Sequence, residues 1–506
     1  MRFDIVTNLL DIEIYLHTTK RIMPAFKTDE SFLEKISIGA IGTRRVFENL
    51  TLHQHRPIEL ERGSMNYKLW KKIKIKRIRV PDILCVHCGT RIESRAKTDL
   101  QISMSHSLSD PDRGWDFGLK DSDYVALVAC RKVGDRPIDW FADEFVQYLS
   151  VKDLREAVTK EQVYYVKPKG AQEGFEARIS WPAAIASANG VITKVTPTSI
   201  QFSRKADQRP ITLRLNQKGI PMTPLANKGT HVSENQIIAS VVPVYQTFPF
   251  ETVDEPYYLD NLSNTNLSER YGASKALSYF QSQRVRTALT EKLADANEHI
   301  YVRLEAAASL ARLGHPAGYE FIRSCLSDTY LQNVLEAVIV LAEVKTETSC
   351  QMLSEVLQDQ HYDAEIRAGA AWGLGELNNK VALDSLVAGF ASVDEVIKVE
   401  AARALAKLTG EFSPEVLAQF KKSSPEHRVG IAWALTKSST ISLDELLNSL
   451  VDEDSRLWIS YIIGVQGQER YIAEIEKLKH QDAQVYFAVT VLWKIMTSWI
   501  YDLKEY

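Results

Sequence analysis

At 506 residues the chain is too long for one hydrophobic core and is expected to hold on the order of two to four domains. Its 45% hydrophobic and 25% charged residues are those of an ordinary globular protein, and no run approaches the roughly 18 apolar residues of a membrane span. A formal net charge of -4 excludes a global attraction to nucleic acid, so any such binding must come from local patches. The start Met1-Arg2-Phe3-Asp4 lacks the basic-then-apolar order of a signal peptide, and five scattered cysteines fit reduced thiols, so a cytoplasmic protein is expected.

Residues 29 to 52 carry Phe32, Leu33, Ile36, Ile38, Ile41, Val46 and Phe47 at helical spacing and predict a long early helix. Strand-like stretches follow at 57–61, 73–80, 82–86 and 91–97. Tyr124 to Cys130 is the near-continuous apolar run of a strand buried on both faces. Helix is expected again around Trp140 to Val158, which makes residues 1–158 an α/β domain.

Residues 159–252 change character. Short strands at 191–195, 199–202, 211–215 and 237–242, separated by Gly, Pro, Asn and Asp, predict a small β-barrel or sandwich. Its end, Gly229 to Ala239, loosely resembles lipoyl-like domains, but no acceptor lysine motif accompanies it, which argues against a covalently carried cofactor. Residues 253–269, with Pro256, Asn261, Asn264 and Asn266, read as a linker.

From residue 270 to the end the chain repeats itself about every 31 residues. Blocks such as Val302-Arg303-Leu304-Glu305-Ala306-Ala307, Ile366-Arg367-Ala368-Gly369-Ala370-Ala371 and Val429-Gly430-Ile431-Ala432-Trp433-Ala434 close on Leu310, Leu341, Leu374, Leu405 and Leu435. A period of this size, made of helices that cannot bury their apolar faces alone, predicts an α-solenoid. The pattern resembles HEAT repeats. That resemblance implies a curved superhelix holding a protein or nucleic acid on its concave face, and it implies no chemistry. Arg303, Arg367, Lys398, Arg428 and Arg456 recur seven residues before each closing apolar residue. They read as a structural ladder with loop acids such as Asp363 and Asp394, with a row of phosphate contacts as the alternative.

Chemistry is expected in the hairpin Arg79 to Lys97. Pairing about a turn near His87-Cys88-Gly89 sets Asp82 opposite Glu93, and strand alternation puts Glu93, Arg95 and Lys97 on one face. Two carboxylates so placed can share a hard cation while a neighbouring cation stabilises a phosphate under attack by water. The order Pro81-Asp82, Glu93, then a basic residue, preceded by an acidic helix, resembles the PD-(D/E)XK core of restriction-endonuclease-like enzymes. The resemblance implies Asp82, Glu93, Arg95 and Lys97 as catalytic residues, Asp82, Glu93 and a helical acid, Glu30 or Glu34, as ligands of Mg²⁺ or Mn²⁺, and defence against foreign DNA as the setting. The family places lysine two residues after the second acid, where this chain has Arg95, so either Lys97 takes that role or the site only binds. A surface hairpin whose charges merely pair across the strand is the plainer reading.

Cys85-x2-Cys88 lies in the same turn. It is half of a tetrahedral zinc site, and His53, His55 or His106 would have to complete it at unfamiliar spacing, so buried thiols are the simpler expectation. Lys68, Lys71, Lys72, Lys74, Lys76, Arg77 and Arg79, interleaved with Tyr67 and Trp70, form the densest basic cluster in the chain. It reads as a phosphate-binding patch or as a strand edge guarded by lysines. The multidomain α+β chain is thus expected to be a metal-dependent DNA endonuclease with a HEAT arm for DNA or a protein partner. The alternative is a non-catalytic HEAT adaptor with a degenerate nuclease fold, and a HEAT-type lyase or protein-modification factor is a third reading that the β-rich half fits less well. Self-association into a homo-oligomer is left open.

Overall fold

The computed structural model describes residues 29–65, 73, 78–167, 177–249, 251–466, 468–471 and 474–498. The chain divides into two compact units, Met1–Leu69 with Val80–Thr252 and Trp70–Arg79 with Val253–Tyr506.

The first unit opens with the expected helix, α1 (Asp29–Leu52). It lies on a five-stranded sheet of order β1-β2-β3-β5-β6, formed by β1 (Pro57–Glu59), β2 (Ile83–Cys85), β3 (Arg91–Lys97), β5 (Tyr124–Lys132) and β6 (Trp140–Ser150), with β4 (Ser103–His106) elsewhere. Only β3 and β5 run parallel; the other neighbours are antiparallel. The period-two alternation of β5 builds a core on each face. Ala126, Val128 and Cys130 join Val46, Leu50 and Ile92 under α1. Val125, Leu127 and Ala129 join Leu149, Leu154 and Trp181 on the other face. Gly42 is where helix meets sheet, since a Cβ there would lie 2.6 Å from that of Ala96.

Residues 140–150, expected as helix, form strand β6, and helix begins only at α2 (Val151–Thr159), capped by the Ser150 side chain. The aromatic and β-branched content of this stretch fits a pleated surface better than a helix.

The β-rich residues that follow do not close into a barrel among the described residues. They form open sheets. β7 (Tyr164–Val166) and β8 (Ala177–Ser180) pair in the order β4-β8-β7. β9 (Ala183–Ile185) joins β15 (Thr223–Pro224) and β17 (Ile237–Ser240). β10 (Gly190–Val195), β11 (Ser199–Arg204), β12 (Pro210–Arg214) and β16 (His231–Val232) make a fourth sheet, beside a short hairpin of β13 (Asn216–Gln217) and β14 (Ile220–Pro221). Ile237 and Val242 share a core with Val125 and Leu127, and Tyr148 bridges to Tyr245. The division expected at residue 158 therefore falls inside one compact unit.

In the second unit the expected linker is helical: α3 (Glu255–Asn261) and α4 (Leu267–Ala276). Pro256 sits in the first turn of α3, where it has no N–H to lose, and the Asn266 side chain caps α4 by accepting from Ser268 N–H. Pro256 and Asn266, read as breakers, are start signals.

Helix pairs follow: α5 (Gln283–Ala294) with α6 (Ile300–Arg312), α7 (Pro316–Leu326) with α8 (Leu331–Val344), and α9 (Glu347–Gln358) with α10 (Ala364–Leu377). Next come α11 (Leu383–Ala388), α12 (Glu395–Lys422), α13 (Pro425–Leu435), α14 (Leu443–Leu447), α15 (Glu453–Gln466), α16 (Ile475–Gln481) and α17 (Ala483–Ser498). The small residues let helices of neighbouring repeats close on one another; a Cβ on Gly375 of α10 would stand 2.8 Å from Ala404 Cα of α12. α12 is two helices run together, broken at Phe412 (φ -117°, ψ 35°) just before Pro414.

Candidate functional site

The site is built on the β2–β3 hairpin. Ile83 faces Ile92 and Leu84 faces Arg91, a register that brings Asp82 opposite Glu93 one step on. The Asp82 carbonyl accepts the N–H groups of Leu60 (2.8 Å) and Glu61 (3.3 Å), so the chain leaving β1 adds a third acid. Asp82 is nearly enclosed and its Oδ2 accepts the Ser94 N–H at 2.7 Å. Burial, then the charges of Glu93 and Glu61, push its carboxyl well above the usual range.

On the same face of β3, Arg95 pairs with Glu93 Oε1 at 2.8 Å. The neighbouring Glu93 raises its guanidinium pKa, with Asp82 and Glu61 adding to the effect. The Arg95 Nε has no hydrogen-bond partner. Lys97 donates to the Ser103 carbonyl at 2.7 Å, and Arg178 donates to the Ser103 hydroxyl at 3.0 Å. Burial, then Arg178 and Arg95, bring the Lys97 ammonium down to about 7. Three acids thus adjoin three cations, an arrangement able to take up an anionic group and to exchange a proton near neutral pH.

The other expected site residues lie apart from this cluster. Glu34 pairs with Lys132 at 2.8 Å. Val125 faces Glu93, and Lys132 lies seven residues further along β5, roughly 23 Å at strand rise, so Glu34 is not brought to the Asp82–Glu93 pair. The Glu30 side chain, and Lys68, Lys71, Lys72, Lys74, Lys76, Arg77, Tyr67 and Trp70, lie outside the described residues. Of that cluster Arg79 is described, and it is exposed. Within the second unit the Ile73 N–H donates to Glu365 Oε2 at 2.6 Å.

The solenoid cations are engaged locally. Arg303, Arg367 and Arg428 donate through Nε to the carbonyls of Leu293, Leu357 and Phe420, near the ends of the preceding helices. Arg428 also holds Asp452 and Asp454, Arg456 holds Asp482, and Lys398 pairs with Glu395. The ladder runs to carbonyls and to later acids. Asp363, expected among its rungs, caps its own helix by accepting from Glu365 N–H, and Asp394 precedes α12 as its N-cap residue.

One residue of the acid cluster escaped the sequence reading, and of the three histidines named beside the two thiols the structure brings His55 to them. Glu61 carried a signal, since it ends the strand-like stretch 57–61, of which Pro57–Glu59 pairs with β2. His55 sits between α1 and β1, turned inward after Gln54 in the left-handed region (φ 67°). Its ring lies against Phe248, with centroids 4.7 Å apart, and Nδ1 stands 3.7 Å from Cys88 Sγ. Cys85 Sγ accepts the Arg56 N–H at 3.3 Å. The Cys88 thiol, with His55 and Arg56 N–H, draws the Cys85 pKa down to about 4, while Cys88 is pushed up chiefly by its hydrogen bond to Cys85.

Among known proteins, residues 332–406 match the family described as HEAT repeats, and residues 302–328 match the PBS lyase HEAT-like repeat. No curated protein matches the sequence. Among solved structures, the CpcE–CpcF complex of phycocyanin lyase from Nostoc sp. PCC7120 is 18% identical over 49% of this chain and 97% of that one, with a TM-score of 0.25. Human deoxyhypusine hydroxylase in complex with glycerol is 17% identical over 42% of this chain and 83% of that one, with a TM-score of 0.19. A computationally designed armadillo repeat protein for modular peptide recognition is 18% identical over 37% of this chain and all of its own, with a TM-score of 0.21. Superpositions this loose carry no argument about function. The matched repeats, set on the helix pairs described above, make the carboxy-terminal region one of HEAT repeats.

Proposed function

We propose that this chain is a HEAT-repeat scaffold that captures a protein partner along the later repeats. One observation carries this reading. Six residues before the closing apolar position, the earlier repeats bury Leu304, Leu335 and Ala368, whereas the later ones leave Val399, Val429 and Leu457 43%, 46% and 50% exposed. Trp433 stands one turn beyond Val429 on the same helix face and is 36% exposed. Single exposed apolar residues are ordinary, but a row repeated at the solenoid period is a surface suited to the apolar side chains of another protein.

The test places a photoreactive residue at Leu457 in cells. A discrete crosslinked partner that disappears with Val429→Asp and Trp433→Asp is expected. No discrete adduct, or one indifferent to both substitutions, defeats the reading.

A second reading, phosphodiester hydrolysis by the hairpin cluster, is favoured by the gathering of Glu61, Asp82 and Glu93 around Arg95 and Lys97. The carboxylate donors suit a hard cation, but their oxygens do not all lie within 4.8 Å of one another and Arg95 already holds Glu93, so a metal has to displace that guanidinium and draw the acids together. Bound Mg²⁺ or Mn²⁺ would activate water and neutralise phosphate charge. Arg95 would bind phosphate oxygens, and Lys97, brought down to about 7, could in its unprotonated form take up a proton from an attacking water. Cleavage of foreign DNA in defence is the setting this reading implies. Plasmid and linear DNA incubated with Mg²⁺ or Mn²⁺ should be cut by the native chain and not by Asp82→Asn or Glu93→Gln; equal cutting by all three, or none by the native chain, rejects hydrolysis.

A further inference from the structure

We infer that His55, Cys85 and Cys88 form a zinc site that fastens the tip of the β2–β3 hairpin to the corner between α1 and β1. Among the described residues they are the one group of three histidine, cysteine or acidic side chains whose ligand atoms all lie within 4.8 Å of one another. With Zn–S near 2.3 Å and Zn–N near 2.0–2.1 Å, a tetrahedral ion sets sulfur and nitrogen about 3.6 Å apart. The 3.7 Å between Cys88 Sγ and His55 Nδ1 is close to that edge.

The local backbone is shaped for convergence. Gly89 follows Cys88 in the left-handed region (φ 70°), and its N–H donates to the Cys85 carbonyl at 2.9 Å, curling the Cys-x2-Cys turn back on itself. Gln54, a non-glycine residue held at positive φ, turns His55 inward. The Arg56 N–H aimed at Cys85 Sγ is an outer-shell donor suited to a thiolate ligand.

Two other uses of these groups fit less well. A redox dithiol needs an accessible attacking sulfur, and Cys85 is fully enclosed. A Cys–His nucleophile meets the same obstacle, and Cys88, the more open sulfur, already engages the Thr90 hydroxyl at 3.2 Å. Two sulfurs and one imidazole are instead the donor set for a borderline-soft ion. They leave the fourth tetrahedral position to water or another ligand. Each cysteine thiol sheds its proton to the solvent on binding, the neutral imidazole binds through its lone pair, and no oxidation is involved. The clamp is independent of the readings above, since it fixes the hairpin whether or not the acid cluster hydrolyses anything.

The full chain, expressed with zinc and purified under reducing conditions without chelator, should carry about one zinc per chain by elemental analysis. Cys88→Ser and His55→Gln should bring this to background, while Cys130→Ser and Cys325→Ser retain it. Cobalt loaded into the stripped native chain should give a thiolate-to-cobalt charge-transfer band that zinc abolishes; this reading stands even if a variant fails to fold. Folded, reduced native protein with neither zinc nor the cobalt band, or undiminished zinc in folded Cys88→Ser, overturns the proposal.

Discussion

The Arg91 guanidinium lies fork-on-fork against the Asp123 carboxylate, Nε to Oδ1 at 3.1 Å and a terminal nitrogen to Oδ2 at 2.6 Å, with both side chains buried. It joins the first residue of β3 to the residue before β5, and so fixes the one parallel pairing in the sheet and the height at which Glu93 emerges. Asp123→Asn leaves a buried cation short of its partner and should destabilise the first unit by about 3–5 kcal/mol. Urea unfolding followed by tryptophan fluorescence reads the loss. Replacing both residues with apolar ones of like size should recover most of it.

Lys97 titrates against stability. Its pKa falls from 10.5 to about 7, so between those values the unfolded chain binds the extra proton and stability rises with pH. Below pH 7 the burial cost is complete. Lys97→Met should therefore stabilise the protein at pH 6 by on the order of 1 kcal/mol, allowing for partial exposure, and lose that advantage toward pH 10. A larger gain at high pH would reverse the assignment.

The acid cluster makes a divalent ion measurable without any activity. A cation that binds only the folded chain stabilises it by about 2.7 kcal/mol at a hundredfold excess over Kd. Mn²⁺ should raise the melting temperature of the native protein and not that of Asp82→Asn or Glu93→Gln. An equal rise in all three places the ion elsewhere.

The ladder cations predict a loss of stability where phosphate contacts predict a loss of affinity. Arg428, almost wholly enclosed, meets Phe420 O, Asp452 and Asp454. Arg428→Ala should cost about 2 kcal/mol, discounted because Asp452 is half exposed, and leave any affinity for DNA and its salt dependence unchanged. Gel-shift titration beside thermal unfolding separates the two.

Strongly periodic stretches were legible in the sequence. The helix at 29–52, the two-faced strand at 124–130 and the repeats announce themselves because burial dictates every position. Residues 140–150 misled because their apolar spacing suits either period and the decision lay with pairing to β5. Residues 253–269 misled because Pro and Asn both break helices and begin them. Within the hairpin, symmetry about the turn was enough to set Asp82 against Glu93. Glu61 was hidden since it arrives from another element, and only tertiary closure places it beside Asp82 and Glu93, 21 and 32 positions away; the same closure selects His55 from the three histidines named for the thiols.

The break at Phe412 has a consequence for how the solenoid comes apart. Repeats separated by a loop can open one at a time, each to the extent its own interfaces allow. Where one helix runs into the next with only a bend between them, there is no slack for a protease and little freedom for one side to melt alone. The two repeats that share α12 should exchange their amide hydrogens as a single cooperative block, and limited digestion should spare that junction while cutting others.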